Sequence, residues 1–323
     1  MHGVSGAELA SSVAKGGGIG FLGSGFAKDK VSLHREYNRA LEMGGNHGHE
    51  RIGIGLVGFT GDWLVEMAIA LSPPAIWITF GDYNEPIRKI KEAGIPIMVM
   101  VQSVEEAVTA AELGASAVVA QGSESGGHGA APISTLCFVP EVVDALKAKG
   151  FDEVAILAAG GIADGRQVAA VFALGAAGAV MGTRFAATKE SMYSDEKKQR
   201  YLAAKAADTH RTRLYDDLGA VPWPAGIDGR VIGNTFSKSH GTVAPAEEEK
   251  QKALKEKLAK GQQEGDLDVA PVWSGAGVGQ IHSIDSAEEV VKSVWDAACA
   301  RMLEISGKNV PFRMLHPGGG LRL

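Results

Sequence analysis

The chain has 323 residues, 45% of them hydrophobic and 22% charged, which is typical of a soluble globular protein built from one large domain. Its net charge of −6 lacks the positive excess with which proteins bind nucleic acid or anionic membranes, so we exclude these partners. Cys137 and Cys299 have no CxxC spacing, and there is no long apolar run or signal sequence, so we expect a cytoplasmic protein without disulfides, a cysteine metal site or a membrane span.

Short apolar segments alternate with amphipathic ones over the first two thirds of the chain. The apolar segments predict strands at residues 19–22, 52–57, 75–79, 95–101, 117–120, 154–159 and 179–181. The amphipathic segments predict helices at residues 7–15, 33–43, 84–93, 104–113, 139–149 and 167–174. Because the strand segments are apolar on both faces, they are expected to be buried, parallel strands in βαβ units.

The number of these units favours a closed barrel over an open sheet. Three predicted helices end at a glycine that leads into the next strand, namely Gly94, Gly114 and Gly175. The fold class predicted is therefore α/β, a (β/α)₈ TIM barrel. Only seven strands are predicted, and the missing first strand would precede Met1. Three explanations stay open: the chain is truncated, a strand is supplied from elsewhere, or the barrel is left open.

The barrel pattern breaks near residue 190. Residues 195–214 predict a charged helix, 222–226 a turn-rich segment, 247–260 a mixed-charge helix and 287–305 a final helix. We therefore predict a barrel over residues 1–190, a small helical lid subdomain over 191–272, and a C-terminal segment over 273–323 that returns to the barrel.

The loop 121–129, with the sequence QGSESGGHG, follows a predicted strand directly. Its glycines allow the backbone to lie flat against a planar ring, and His128 is the kind of side chain that can take up a proton near neutral pH. A histidine in a glycine-rich loop is more often a simple turn residue, but its place at the C-terminal end of a barrel strand favours catalysis.

Two later strand ends carry the signature of a phosphate site. Gly160 and Gly161 follow one strand, and Gly182 and Thr183 follow the next, where barrels commonly bind phosphate through backbone amides. Residues 274–279 are a further candidate for contacting a cofactor. Two GxGxxG matches, at 18–23 and 53–58, lie inside predicted strands, so a nicotinamide-binding domain is not predicted. His47 and His49 are interpreted as residues of an exposed loop, not metal ligands.

These motifs together resemble the nitronate monooxygenase family, formerly called 2-nitropropane dioxygenases. The resemblance rests on the start of the chain, MHGVSG followed by GGGIGFLG, and on the later motifs AAGGI and MGTRF. It also rests on loop 121–129, which is similar to the family's QGxEAGGHxG with Ser125 in place of alanine. In bacterial members an asparagine often stands where this chain has Gly55. The resemblance implies a barrel with a lid and noncovalently bound FMN, with His128 as the catalytic residue. It also implies flavin contacts at Gln121, Gly126, Gly160, Gly161, Gly182 and Thr183.

The activity implied is the oxidation of alkyl nitronates or nitroalkanes with O₂, which yields a carbonyl compound and nitrite. His128 would either bind the anionic nitronate or deprotonate the neutral nitroalkane. Two alternatives stay open: an NAD(P)H-dependent flavin reductase acting on quinones or enoyl thioesters, and a truncated, non-catalytic barrel. A homodimer is a further possibility.

Overall fold

A curled parallel sheet wrapped by helices forms the main body of the protein. The structure is a computed structural model that describes residues 3–24, 29–59, 61–130, 132–219, 221, 223–241 and 247–306. The strands of these ranges are β1 (Gly20–Gly23), β2 (Ile52–Val57), β3 (Ile76–Thr79), β4 (Ile97–Val101), β5 (Ala117–Gln121), β6 (Gly127–Gly129), β7 (Ala155–Ala159), β8 (Gly178–Val180), β9 (Thr209–Thr212), β10 (Asp228–Ile232) and β11 (Val272–Trp273).

The α-helices of the same ranges are α1 (Ala7–Lys15), α2 (Lys30–Gly44), α3 (Gly48–Arg51), α4 (Asp62–Ala70), α5 (Asn84–Glu92), α6 (Val104–Leu113), α7 (Thr135–Ala148), α8 (Gly165–Ala173), α9 (Thr183–Ala186), α10 (Asp195–Ala203), α11 (Leu214–Leu218), α12 (Thr235–His240), α13 (Glu248–Glu264) and α14 (Ala287–Ser306). Short 3₁₀ helices span Gly45–His47, Ala206–Asp208 and Ala276–Gln280.

Seven strands pair side by side in the order β1-β2-β3-β4-β5-β7-β8, and every neighbouring pair is parallel. These are the seven predicted strands, each within two residues of the predicted bounds, so the α/β barrel prediction is confirmed as a curled half-barrel. The path of paired strands ends at β1 and β8. Helix α14 packs against α8 and α1 on the outside of the sheet.

The sheet is apolar on both faces, as the continuous apolar runs predict. Its outer face packs against the helices through residues such as Ile54, Val99 and Val118, which are fully buried. Its inner face holds a separate cluster that includes Met98 and Met100. Burial on both sides is the usual environment of a parallel sheet, and it fixes which ends of the strands meet the solvent.

Helices α7 and α4 differ from the sequence prediction for local reasons. Helix α7 begins at Thr135 and not at residue 139, because the Ser134 side chain caps it by accepting from the Cys137 amide. Helix α4, Asp62–Ala70, was not predicted, since its apolar residues nearly surround it and give no helical periodicity.

The lid is not solely helical, which corrects the prediction for residues 191–272. Strands β9, β10 and β11 form an antiparallel sheet there, and β6 joins it from the loop after β5. The helix predicted over 195–214 is wrong beyond Ala203, since Thr209–Thr212 is a strand. That strand is polar and is defined by its pairing with β10, a long-range contact that local periodicity does not report. In the described part of the chain, no helix has the length and apolar character that a membrane span needs.

Candidate active site

Two buried glutamines connect the ends of β4 and β5 with the loop that carries His128. Gln102, directly after β4, donates from Nε2 to Gln121 Oε1 at 2.9 Å. Gln121, the last residue of β5, donates from its own Nε2 to the His128 carbonyl oxygen at 3.1 Å. Buried amides are stable only when such bonds are made, so this chain of bonds fixes the backbone of β6 relative to the barrel.

The His128 side chain is held by residues of the lid. Its Nε2 atom lies 2.7 Å from Asp216 Oδ1, and the two side chains are only 14% and 6% exposed. The ring stacks on Trp223 with centroids 3.6 Å apart and an interplanar angle of 12°, and Trp273 lies 4.7 Å away. These contacts therefore hold the His128 ring in one orientation and shield it from most of the solvent.

Aromatic side chains place this histidine at the mouth of the barrel. Trp223 contacts Phe59 and Phe80 edge to face, at 5.3 Å in each case, and these residues follow β2 and β3. Phe80 has a φ of +57°, an unfavourable backbone conformation for a bulky residue. Strained backbone of this kind is concentrated at functional sites, because only a well-determined surrounding structure can hold it.

The glycine-rich strand ends meet around residues 274–277. The Gly275 amide donates to Thr183 Oγ1 at 2.8 Å. A Cβ atom on Gly126 would overlap the backbone of Gly275, and one on Gly277 would overlap the Gly161 carbonyl oxygen. Main chain thus packs directly on main chain, and only glycine allows this approach.

Gly160 and Gly161, directly after β7, both have positive φ values, +116° and +71°. A Cβ on Gly160 would lie 2.7 Å from Thr135 Oγ1. Gly182 precedes the short helix α9, which begins at Thr183. The two predicted phosphate-binding strand ends are therefore adjoining parts of one rim, since β7 and β8 are neighbours in the sheet.

The loop after β5 contains an unusual buried hydroxyl. Ser125 is 6% exposed, and its Oγ atom has no hydrogen-bond partner among the described residues. The neighbouring Glu124 is well bonded, because its carboxylate accepts from the Thr135 amide at 2.9 Å and its carbonyl accepts from the Ala276 amide at 2.9 Å. A buried hydroxyl without a partner is unfavourable unless a ligand completes its bonding.

Two arginines of the lid sheet hold this loop from the other side. Arg211 and Arg230 lie opposite each other on β9 and β10, and both donate to the Ser123 carbonyl oxygen, at 3.2 and 3.0 Å. Arg211 also pairs with Asp228. Burial, followed by the charge of Arg211, lowers the pKa of Arg230 below its ordinary value. Burial, followed by the charges of Arg230 and Lys238, lowers the pKa of His210. The two arginines thus face the acidic side chains of Glu124 and Asp228, whose charges raise the pKa of Arg230 in opposition to burial and Arg211.

The structure places the predicted site residues at adjoining strand ends. Gln121 donates to the His128 carbonyl oxygen, and Gly126, Gly161 and Thr183 meet the segment 274–277. Gly160 lies against Gly122 and Thr135 instead, and Gly182 directly precedes Thr183.

The exposed loop expected around His47 and His49 is instead a short helical segment before β2, since His47 ends a 3₁₀ helix and is half-buried, and His49 lies on α3 with its side chain exposed. Across the described ranges, no group of three or more His, Cys, Asp or Glu residues is placed to hold a metal ion.

Sequence reasoning missed Gln102, Asp216 and Trp223 as parts of the site. Gln102 had a usable signal, since it is a polar residue directly after a predicted strand, as Gln121 is. Asp216 and Trp223 had none, because each lies in a lid segment whose contact with His128 depends on the fold.

Comparison with known sequences identifies a family for most of the chain. The family model described as nitronate monooxygenase matches residues 47–296. The chain is 33% identical over 334 residues to the nitronate monooxygenase npaC of Metarhizium robertsii, an alignment that covers 94% of this chain and 91% of that protein.

Solved structures share the fold of this chain. FabK from Thermotoga maritima superposes with a TM-score of 0.80 at 28% identity, covering 95% of this chain and 93% of that one. The nitroalkane oxidase from Streptomyces ansochromogenes superposes with a TM-score of 0.76 at 26% identity, covering 94% of each chain. On this evidence the chain is an oxidoreductase that belongs to the nitronate monooxygenase family.

Proposed function

We propose that this enzyme oxidises alkyl nitronates with FMN as its cofactor and O₂ as the oxidant, giving a carbonyl compound and nitrite. The placement of His128 carries the proposal. Its imidazole is nearly buried at the barrel mouth, and it lies beside the rim where the glycine-rich strand ends adjoin. Family membership and the likeness to a nitroalkane oxidase support the same reaction class.

The residues of the rim fit a flavin phosphate and ring. Gly160, Gly161, Gly182 and Thr183 are proposed to hold the phosphate, since glycine allows close approach of backbone amides to an anion. Gln121 and Gly126 are proposed as further flavin contacts. The partnerless Ser125 hydroxyl supports the fit, because it is a buried polar atom that a ligand could satisfy. When bound, FMN supplies the redox chemistry, and the protein supplies binding, orientation and electrostatics.

His128 is proposed to act on the substrate itself. A protonated imidazole binds the anionic nitronate, and a neutral imidazole removes the α-proton of a nitroalkane. The lid residues around it exclude water from the reacting atoms, which strengthens electrostatic interactions there.

The test is a His128→Ala variant compared with His282→Ala, whose side chain is exposed. We expect His128→Ala to keep its flavin absorbance and to lose about 10²- to 10⁴-fold in kcat/KM for a neutral nitroalkane, the range typical of general acid–base groups. His282→Ala is expected to behave as the parent enzyme. Full turnover in a flavin-loaded His128→Ala variant would remove His128 from the mechanism.

A second candidate is a flavin reductase that uses NAD(P)H, and the likeness to FabK favours it. Anaerobic mixing separates the two functions, since a nitronate oxidase is reduced by ethyl nitronate alone, whereas a reductase is reduced rapidly by NADH or NADPH. Loss of the flavin absorbance is the readout. A purified protein that neither contains nor binds FMN would contradict both candidates.

A further inference from the structure

Asp216 is a buried carboxylate whose hydrogen bonding is incomplete. It lies on α11, its side chain is 6% exposed, and Oδ1 contacts His128 Nε2 at 2.7 Å. Its second oxygen, Oδ2, is buried and has no hydrogen-bond partner among the described residues. The adjacent carboxylate of Asp217 lies instead within 3.4 Å of Arg213.

The stability of the lid does not explain why the Asp216 carboxylate is buried beside His128. Helix α11 is already anchored by Leu214, Tyr215 and Leu218, which belong to the apolar cluster of the lid. An ionised carboxylate is strongly disfavoured in a buried site unless its charge and its lone pairs are compensated. A site that breaks this rule is more often functional than structural, so the role of Asp216 is sought in its one partner, the imidazole.

Two contacts fix the orientation of that imidazole. Stacking on Trp223, nearly parallel at 12°, sets the plane of the ring. The bond to Asp216 sets which ring atom points towards the lid. A carboxylate only accepts hydrogen bonds, so Nε2 carries a proton, and in the neutral ring Nδ1 is then the atom with a free lone pair. Nδ1 has no hydrogen-bond partner among the described residues.

We infer that Asp216 is a positioning residue of the enzyme: it holds the proton of His128 on Nε2 and so makes Nδ1 the base that receives the substrate proton. This inference rests on the proposed function, in which His128 acts on a nitroalkane or its nitronate.

The step is a proton transfer. The α C–H bond of a neutral nitroalkane breaks and its proton forms a bond to Nδ1. The electron pair stays on the substrate and delocalises onto the nitro oxygens, which gives the nitronate. His128 becomes an imidazolium, and the carboxylate of Asp216 beside Nε2 balances the new positive charge. A substrate supplied as the nitronate has already lost this proton and does not need the step.

The experiment compares Asp216→Asn with Asp217→Asn in the full-length, FMN-loaded enzyme, using nitroethane and ethyl nitronate as separate substrates. Asparagine has nearly the shape of aspartate but no charge, and it can either accept from Nε2 or donate to it. We expect Asp216→Asn to lower kcat/KM for nitroethane by about ten- to a hundredfold, within the range of general-base effects. For ethyl nitronate, which needs no proton removed, we expect kcat to change by less than about threefold, and any weaker binding of the anion to the imidazolium raises KM alone. Asp217→Asn is expected to leave both substrates unchanged.

A second measurement reads the proton position directly. Nitrogen-15 NMR of the parent enzyme, with the His128 signals identified by their loss in His128→Gln, is expected to show Nε2 protonated and Nδ1 free. In Asp216→Asn the two tautomers are expected to mix. This readout does not require turnover, because the resting parent enzyme reports the tautomer.

Three results would overturn the inference. In Asp216→Asn these are an equal loss of kcat for both substrates, or no loss of kcat/KM for nitroethane. In the parent enzyme it is a proton on Nδ1 of His128. Failure of the proposed function has a different signature, since the parent enzyme would then oxidise neither substrate. In that case the NMR measurement still decides whether Asp216 fixes the tautomer of His128.

Discussion

Removing the oxygen atom of the Ser125 side chain tests whether this residue contacts FMN, as the cofactor proposal expects. Because the buried Oγ has no partner among the described residues, Ser125→Ala removes an uncompensated polar group, and the free energy of unfolding of the flavin-free protein is expected to stay equal or to rise by up to about 1 kcal/mol. If the hydroxyl bonds FMN, the Kd for FMN rises about fivefold, the equivalent of about 1 kcal/mol. Denaturant unfolding and flavin titration measure the two effects.

The matched control is Ser123→Ala in the same loop, whose hydroxyl contacts Glu124 Oε2 at 3.4 Å. It is expected to leave FMN affinity unchanged, because the two lid arginines bind the backbone carbonyl of that residue and not its side chain. Unchanged FMN affinity in Ser125→Ala would show that the hydroxyl is not a cofactor contact.

Among single residues, those in strand-end loops could be predicted and those in the lid could not. His128 and the glycines at 126, 160, 161 and 182 stand beside buried strands, so their common rim follows from the parallel sheet alone. Asp216 is 88 residues from His128 in the chain, and no local pattern links an acidic residue of a short helix to a distant imidazole. The same applies to the Trp223 ring.

At the scale of elements, the 3₁₀ helix Ala276–Gln280 offers a matched pair of glycines. A Cβ on Gly277 would overlap the Gly161 carbonyl oxygen, whereas the nearest atoms to a Cβ on Gly279 are 3.6 Å away, an ordinary contact. We expect Gly277→Ala to push the segment away from the end of β7, with a loss of about 1–3 kcal/mol in the free energy of unfolding and weaker FMN retention.

Gly279→Ala is expected to change neither property, and thermal unfolding with flavin titration compares the two variants. If Gly277→Ala and Gly279→Ala had the same free energy of unfolding and the same FMN affinity, neither property would depend on the close approach of residues 274–277 to the end of β7.

The strands of the barrel and the strands of the lid differ in how far the sequence predicts them. Barrel strands are apolar on both faces, and each alternates with a helix, so two independent patterns agree. Strand β9 contains Thr209, His210, Arg211 and Thr212, which carry no apolar pattern. It is a strand because its backbone pairs with β10, where Gly229 lies against the Trp273 ring. Such pairings are set by the whole fold.

For the whole molecule, the site joins parts of the chain that are far apart in sequence. The barrel supplies β5, β7 and β8, the lid supplies Asp216, Trp223 and the two arginines, and the segment after β11 closes against the rim. The lid sheet even takes β6 from the loop of β5, so lid and barrel share that strand. If FMN binds at the rim as proposed, it contacts elements from all three parts of the chain, and its binding energy is expected to stabilise them together.

Removal of FMN tests whether a ligand at the rim stabilises the barrel, the lid and the segment after β11 together. We expect amide hydrogen exchange to rise in peptides that cover residues 122–129 and 274–280, because these loops meet at the rim where the phosphate is proposed to bind. Helix α5 is the internal control, since it precedes β4 and is separated from β7 by two strands of the sheet, so its exchange is expected to stay the same. Adding FMN back should restore the original rates, which excludes damage during removal. If exchange rose evenly over α5 and the two loops, the flavin would act on global stability alone; if nothing changed, the rim would not be its binding site.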